Sequence, residues 1–240
     1  VRPSILVDSG ADLLMFGMGE KSVLEIAANL KAGKRGPDVC KQVRGTAYFT
    51  KDAQDISFPA VWCPSMEETV EDKIKYAESV KIQYAQQDHI TGKAIVQKHG
   101  HRLLVQNPPS IPLTTEEMDW VYGLPYERTY HPSYEAVGGV PAIAEVQFSI
   151  IHNRGCFGGC NFCSLAFHQG RYISSRSHES VVAEGKRIAQ HPDFKGYIHD
   201  VGGPTANFRF PACKKQETQG LCQNKRCLFP KACGNLRADH

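Results

Sequence analysis

The chain has 240 residues, 41% of them hydrophobic and 22% charged, which suits a soluble protein able to bury a real core. A formal net charge of +3 is too mild to argue for a polyanionic partner, and no apolar run approaches the length of a membrane span. Nine cysteines without a secretory signal peptide point to the cytoplasm, where thiols stay reduced and clustered ones bind metal.

Taken in order, residues 12–17 (DLLMFG) are a continuous apolar run of strand length. Val23, Ile26, Ala27 and Leu30 then share one helical face, and Gly33 is a natural stop. This pattern predicts a βα unit of the doubly wound type. Its Gly17-Met18-Gly19-Glu20 turn falls at the strand's carboxyl end, where such folds bind ligands, although the same residues make an ordinary tight turn.

Residues 46–50 and 56–60 read as short strands. Ser65 and Glu68 have capping-box spacing, and Val70, Ile74, Ala77, Val80 and Tyr84 keep to one face of a single long helix after them. Residues 93–98 and 102–106 flank His99-Gly100 as a hairpin, and Pro108, Pro109 and Pro112 mark a linker. Cys40 and Cys63 stand far apart and are expected to be structural.

Residues 143–151 alternate, with Val146, Phe148 and Ile150 on one face and Glu145, Gln147 and Ser149 on the other, and are expected to form the first strand of a β/α barrel. Ser177 is a cap for a helix carrying Val181, Val182, Ile188 and Ala189. Residues 196–201 are the expected second strand, parallel to the first by the right-handed crossover rule.

Between those two strands, Cys156, Cys160 and Cys163 stand in a C-x3-C-x2-C spacing with Phe162 directly before the last thiol. Three thiolates this close can each hold one corner of a cubane iron–sulfur cluster, leaving the fourth iron open. Gly155, Gly158 and Gly159 let the backbone curl around such a group. A zinc ion held by the same thiols and a histidine such as His152 or His168 is the competing assignment.

The C-x3-C-x2-C loop and its aromatic, with YERTYHPSYEAVGGVPAIAEVQFSIIHNRGCFGGCNFCSLAFHQGR and the later DVGGPTANF, resemble the YgiQ-like branch of the radical S-adenosylmethionine (SAM) superfamily. That resemblance implies a 4Fe-4S cluster on Cys156, Cys160 and Cys163 whose open iron takes the amino and carboxylate groups of SAM. It further implies an electron from an external reductant such as flavodoxin or ferredoxin, and a 5′-deoxyadenosyl radical that abstracts hydrogen from an unidentified substrate. Relatives carry a GGE-like turn that meets the SAM amino group. Here Gly202, Gly203 and Pro204 occupy that place, and Pro204 can offer only its carbonyl. Phe162 and Arg171 are the other expected cofactor contacts, Arg171 toward the SAM carboxylate, with His168, Gln169, His199 and Asp200 about the same mouth.

Cys213, Cys222, Cys227 and Cys233 form a second thiol group, a candidate for another iron–sulfur cluster or a zinc ion, or else reduced cysteines on a loop. Lys214, Lys215, Lys225, Arg226, Lys231 and Arg237 lie around it and offer a weak nucleic-acid surface.

The expected fold is thus α/β. Residues 1–36 would be the tail of a doubly wound, cobalamin-binding-like domain, although no D-x-H-x-x-G cobalamin-ligand pattern is present. Residues 37–112 would connect, and residues 113–240 would begin a partial radical SAM (β/α) barrel. A complete barrel needs about 200–250 residues, so the chain reads as a fragment. Two other functions compete with a radical SAM enzyme: an iron–sulfur or zinc protein used for electron transfer or scaffolding, and an RNA-modifying or RNA-binding protein.

Overall fold

The computed structural model describes residues 1–160, 162–203, 206–223 and 227–237. It is a mixed α/β structure. In chain order the elements are α1 (Ile5–Ser9), β1 (Leu13–Met15), α2 (Glu20–Lys31), β2 (Thr46–Thr50), β3 (Ala60–Trp62), α3 (Met66–Glu71), α4 (Lys73–Ala85), β4 (Ala94–His99) and β5 (Arg102–Gln106). There follow α5 (Thr115–Tyr122), α6 (Ile143–Val146), β6 (Ile150–Ile151), β7 (Asn153–Arg154), α7 (Leu165–His168), β8 (Ser174–Ser175), α8 (His178–Ala189), β9 (Val201–Gly202) and α9 (Lys214–Thr218).

The first five strands form one sheet in the order β1-β2-β5-β4-β3, so residues 1–36 and 37–112 share it. β4 and β5 make the expected hairpin, with His99 opposite Arg102. The doubly wound arrangement expected around β1 is not what forms. β1 pairs antiparallel with β2 at the sheet's edge, and the only parallel pair in this sheet is β3 with β4. The reason lies in the connection. α2 runs out about 18 Å, and residues 32–45 run back to the end of β1 at which the helix began. There the Phe16 N–H meets the Gly45 carbonyl at 2.9 Å.

Two further expectations shift. The strand placed at residues 56–60 forms at Ala60–Trp62, while Ile56 packs against the buried Cys40, Tyr48 and Val105. The single helix after Ser65 is two helices, because Asp72 takes an extended conformation and its side chain caps the second by accepting from the Ile74 N–H at 2.7 Å. The Ser65–Glu68 capping box forms as expected. The apolar face does not turn inward, however. Val70, Ile74 and Val80 are exposed, whereas Thr69 and Ser79 are buried.

Among the described residues of the second half are two small strand pairs, β6 with β9 in parallel and β7 with β8 antiparallel. α8 lies between β6 and β9 in sequence and is capped as expected, Ser177 Oγ accepting from the Ser180 N–H at 3.0 Å. Ile188 on that helix packs against Phe148 and Ile150, and Val182 faces solvent. The strand expected over residues 143–151 begins instead as a helical turn. Pro141 and Ala142 carbonyls accept from the Ala144 and Glu145 N–H groups, so only Ile150–Ile151 remains extended. The second strand, expected over residues 196–201, is likewise short and forms at Val201–Gly202.

Candidate metal centre

The cysteine loop hangs between β7 and β8, which close its neck. The Cys156 N–H donates to the Gly170 carbonyl at 3.1 Å and the Gly155 N–H to Gln169 Oε1 at 3.1 Å. Gly155 sits at φ +87°, and a Cβ there would lie 1.9 Å from the Tyr172 carbonyl oxygen, so only glycine allows the two legs to approach. Gly159 also takes a positive φ, of +66°.

Between the first two thiols, Phe157 turns inward. It is fully buried against Ile173 and Ala212, and stacks on Phe208 with ring centroids 3.9 Å apart. Burying a side chain of this size contributes about 1.5–3 kcal/mol, and that anchor holds the loop's floor. Above it, a Cβ on Gly158 would lie 3.4 Å from Cys156 Sγ and 3.8 Å from Cys160 Sγ. The two sulfurs therefore flank a space that the missing side chain leaves open. Cys156 and Cys163 are half-buried, Cys160 is exposed, and Phe162 is 91% exposed. Asn161, within the loop, lies outside the described residues.

The strand that leads into the loop is held from behind by a buried ion network. Arg176 is fully buried; it donates to the Ile151 carbonyl at 2.9 Å and to Glu184, and its guanidinium lies 4.6 Å over the Tyr122 ring. Arg128 also donates to Glu184, and reaches the Gln147 carbonyl at 3.0 Å. At the neighbouring strand, Arg154 pairs with Glu20 at 2.6 Å, tying the N-terminus of α2 to β7.

Gly202 and Gly203 leave the end of β9 beside this entry strand. The His152 N–H donates to the Gly202 carbonyl at 3.0 Å, and the Gly203 N–H donates to Asn207 Oδ1 at 3.0 Å. A Cβ on Gly203 would lie 2.2 Å from Asn153 Oδ1, so the turn packs directly on Asn153. Asn153 is fully buried and neither of its amide atoms has a partner among the described residues. Burial, with Arg209 nearby, holds the His152 imidazole below its ordinary value. Pro204 and Thr205 lie outside the described residues. His199 and Asp200 are exposed.

Arg171 is buried, its Nε has no partner among the described residues, and it borders two cavities. One, of about 60 Å³, is lined by Gly17 and Met18 on one side and by His168, Gln169 and Arg171 on the other. The candidate Gly17-Met18 turn thus faces the exit of the cysteine loop, and a Cβ on Gly17 would lie 3.1 Å from the His168 carbonyl.

The later four thiols also come together, lining one cavity with Ala212, Lys215, Gln216 and Leu236. Burial pushes the Cys227 thiol up, with Arg171 pulling the other way. Their segment is clamped to the first half of the chain by the buried Asp88, whose Oδ2 accepts from the Leu221 N–H at 2.9 Å and from Thr91 Oγ1 at 2.6 Å. As they stand, no three Cys, His, Asp or Glu side chains among the described residues are set to hold one ion. Cys40 and Cys63 are buried away from both groups, and burial pushes Cys40 to about 11. Of the basic residues nearby, Lys225 and Arg226 lie outside the described residues, while Arg237 pairs with Glu217 at 3.4 Å and stacks on Phe210.

A family model for the Radical SAM N-terminal region matches residues 1–149. The chain belongs to that family. Among relatives of this Radical SAM N-terminal chain are a UPF0313 protein of Clostridium botulinum (strain ATCC 19397 / Type A), 57% identical, and a UPF0313 protein of Clostridium perfringens (strain ATCC 13124), 52% identical. Each matches over 100% of this chain, which spans only 37% and 36% of their respective lengths. No solved structure matches. No described helix is long and apolar enough to cross a membrane.

Phe157, Asn153, Arg176, Glu184 and Asp88 escaped the sequence reading. Nothing in the sequence separated Phe157, which is buried, from Phe162 in the same loop, which is exposed.

Proposed function

We propose that this chain carries the cofactor-binding part of a radical SAM enzyme, with Cys156, Cys160 and Cys163 as the protein ligands of a 4Fe-4S cluster. The observation that carries the reading is the pair of sulfurs converging over Gly158 on a loop whose neck and floor are fixed. Three thiols and an open side suit a cluster that keeps one iron for a small ligand. When bound, the cluster and SAM together supply a carbon-centred radical that abstracts hydrogen from substrate.

The chain's own residues have three tasks in this reading. The glycine-rich loop brings backbone N–H groups toward the anionic cluster. Gly202 and Gly203 offer SAM a backbone surface beside the loop's entry strand, with the amide of Asn153, which has no partner among the described residues, beneath it. Phe162 and Arg171 complete the ligand's surroundings, the first as an exposed apolar plate and the second as a charge for a carboxylate. Parallel pairing of β6 and β9 with α8 between them supports residues 113–240 as the opening of a (β/α) barrel.

The experiment is anaerobic reconstitution of the protein, reduction with dithionite, addition of SAM and assay for 5′-deoxyadenosine, with Cys160→Ala as control. Cysteine-dependent 5′-deoxyadenosine is expected. A reduced cluster whose electron paramagnetic resonance signal ignores SAM would overturn the assignment in favour of an electron-transfer centre.

A further inference from the structure

The four later thiols come from 21 residues of chain, yet they meet at one cavity. Cys213 precedes α9, Cys222 follows it, and Cys227 and Cys233 are drawn together by the Cys233 N–H donating to the Cys227 carbonyl at 2.8 Å. Two polar groups already face the sulfurs: Lys215 Nζ is 3.6 Å from Cys222 Sγ, and Gln216 Nε2 is 3.7 Å from Cys227 Sγ. Gln216 is itself buried, and its orientation is set by the Ala212 N–H donating to its Oε1 at 3.0 Å. Nitrogen donors aimed at sulfur are what an anionic thiolate centre needs around it. Arg171, which lines the adjacent cavity with Cys222, adds buried positive charge.

We infer that Cys213, Cys222, Cys227 and Cys233 bind a single zinc ion, separate from the Cys156–Cys163 loop. The cavity that the four thiols line is small, about 30 Å³, which favours a single ion over a second cubane. Four cysteines with no histidine form a closed tetrahedral set, the pattern of structural rather than catalytic zinc. On binding, four thiols lose four protons and four Zn–S bonds form, giving a centre of net charge −2 beside Lys215 and Arg171. The thiols line the cavity without meeting at one point, so the ion draws them in and completes the pocket, as metal does in small metal-nucleated folds.

The site has a mechanical consequence. Cys227 and Leu236 pack against the cluster formed by Phe157, Ile173 and Ala212. An ion on Cys227 therefore fixes the surface on which the floor of the first cysteine loop rests.

The test removes the first site: all three of Cys156, Cys160 and Cys163 are replaced by Ala in the full chain, so any bound metal reports the second. This variant is expected to retain about one equivalent of zinc after desalting. Co²⁺ added to the apo form should give the intense sulfur-to-metal absorption of a tetrahedral thiolate site. Zinc should also slow the reaction of the four thiols with a thiol reagent at least tenfold. Adding Cys227→Ser should abolish the Co²⁺ signature, and Gln216→Leu should weaken zinc binding about tenfold or more through the lost N–H contact. Circular dichroism checks that each variant folds, and the thiol-reactivity arm needs no change in the pocket. Thiols equally reactive with and without zinc, or iron with sulfide bound in place of zinc, would overturn the inference.

Discussion

Gly155→Ala puts the geometry of the first cysteine loop to its sharpest test. At φ +87° a residue with a Cβ loses about 1–2 kcal/mol from backbone sterics alone. The added methyl would also lie 1.9 Å from the Tyr172 carbonyl oxygen, well inside any tolerated contact. That carbonyl has little freedom to retreat, because Ile173 beside it is 2% exposed in the packing under Phe157. The neck must open, at the expense of the bonds from Gly155 and Cys156 to Gln169 and Gly170. A total of at least ~3 kcal/mol is expected, which shifts the balance between closed and open loop by more than about a hundredfold. Iron and sulfide per chain after anaerobic reconstitution measure the effect, with circular dichroism confirming that the rest of the chain stays folded. The matched control is Gly158→Ala: its Cβ would make ordinary contacts at 3.4 and 3.8 Å, so the fold should be unaffected while the space between the two sulfurs is reduced. Full cluster loading by Gly155→Ala with an unchanged melting midpoint would refute the argument that the closed neck positions Cys156.

The buried Asp88 should govern docking of the second thiol segment. Burial alone pushes its carboxyl up, but bonds from Thr91 and from the Ile90 and Leu221 N–H groups outweigh it, so the carboxyl is held below the usual range. A depressed carboxyl contributes stability that is present above the unfolded value of about 3.9 and is lost as pH falls through the folded one. Asp88→Asn leaves an amide N–H facing a backbone N–H and should cost about 1–3 kcal/mol in chemical denaturation, flattening the acid limb of the stability curve; an acid limb identical to wild type would count against it. Phe157→Ala empties a fully buried site and should cost about 3–5 kcal/mol, with loss of cluster retention; unaltered iron content would show that the floor is dispensable. Glu184→Gln strips the charge that Arg176 and Arg128 share and should cost about 3–5 kcal/mol, read as a melting midpoint lower by roughly 6 °C or more. A drop within ~1 °C would mean that the network is not coupled to folding.

What could be read from the residues was whatever local chemistry decides. The capping box at Ser65–Glu68 forms because donor and acceptor stand three residues apart. The β4–β5 hairpin follows from His99-Gly100 between two strand-like runs. Pairing across distance was not legible. β1 looked like the start of a parallel sheet, but its neighbour depends on where residues 32–45 return the chain. The alternation over residues 143–151 suited a strand, yet Pro141 and its neighbours close a helical turn first. Asp88 and Leu221 are 133 residues apart, and no local pattern foretells a bond between them. The cysteine spacing was legible, whereas the inward anchor between its first two thiols became clear only from what Phe157 touches.

Those non-local contacts explain why a loop with three glycines can still hold two thiols in a set arrangement. Glycine raises the entropy cost of ordering the loop, and each anchor removes part of that freedom from a different direction. Gly155 and Cys156 bind the returning leg at Gln169 and Gly170, Phe157 holds the underside, and Arg176 fixes the Ile151 carbonyl before the loop begins. The anchors leave Cys160 and Phe162 at the exposed edge. A rigid base with a free rim is the arrangement required of a site that must hold a cofactor on one side and admit a ligand on the other. The second thiol group rests against the same base through Cys227, so whatever orders that segment also stiffens the loop.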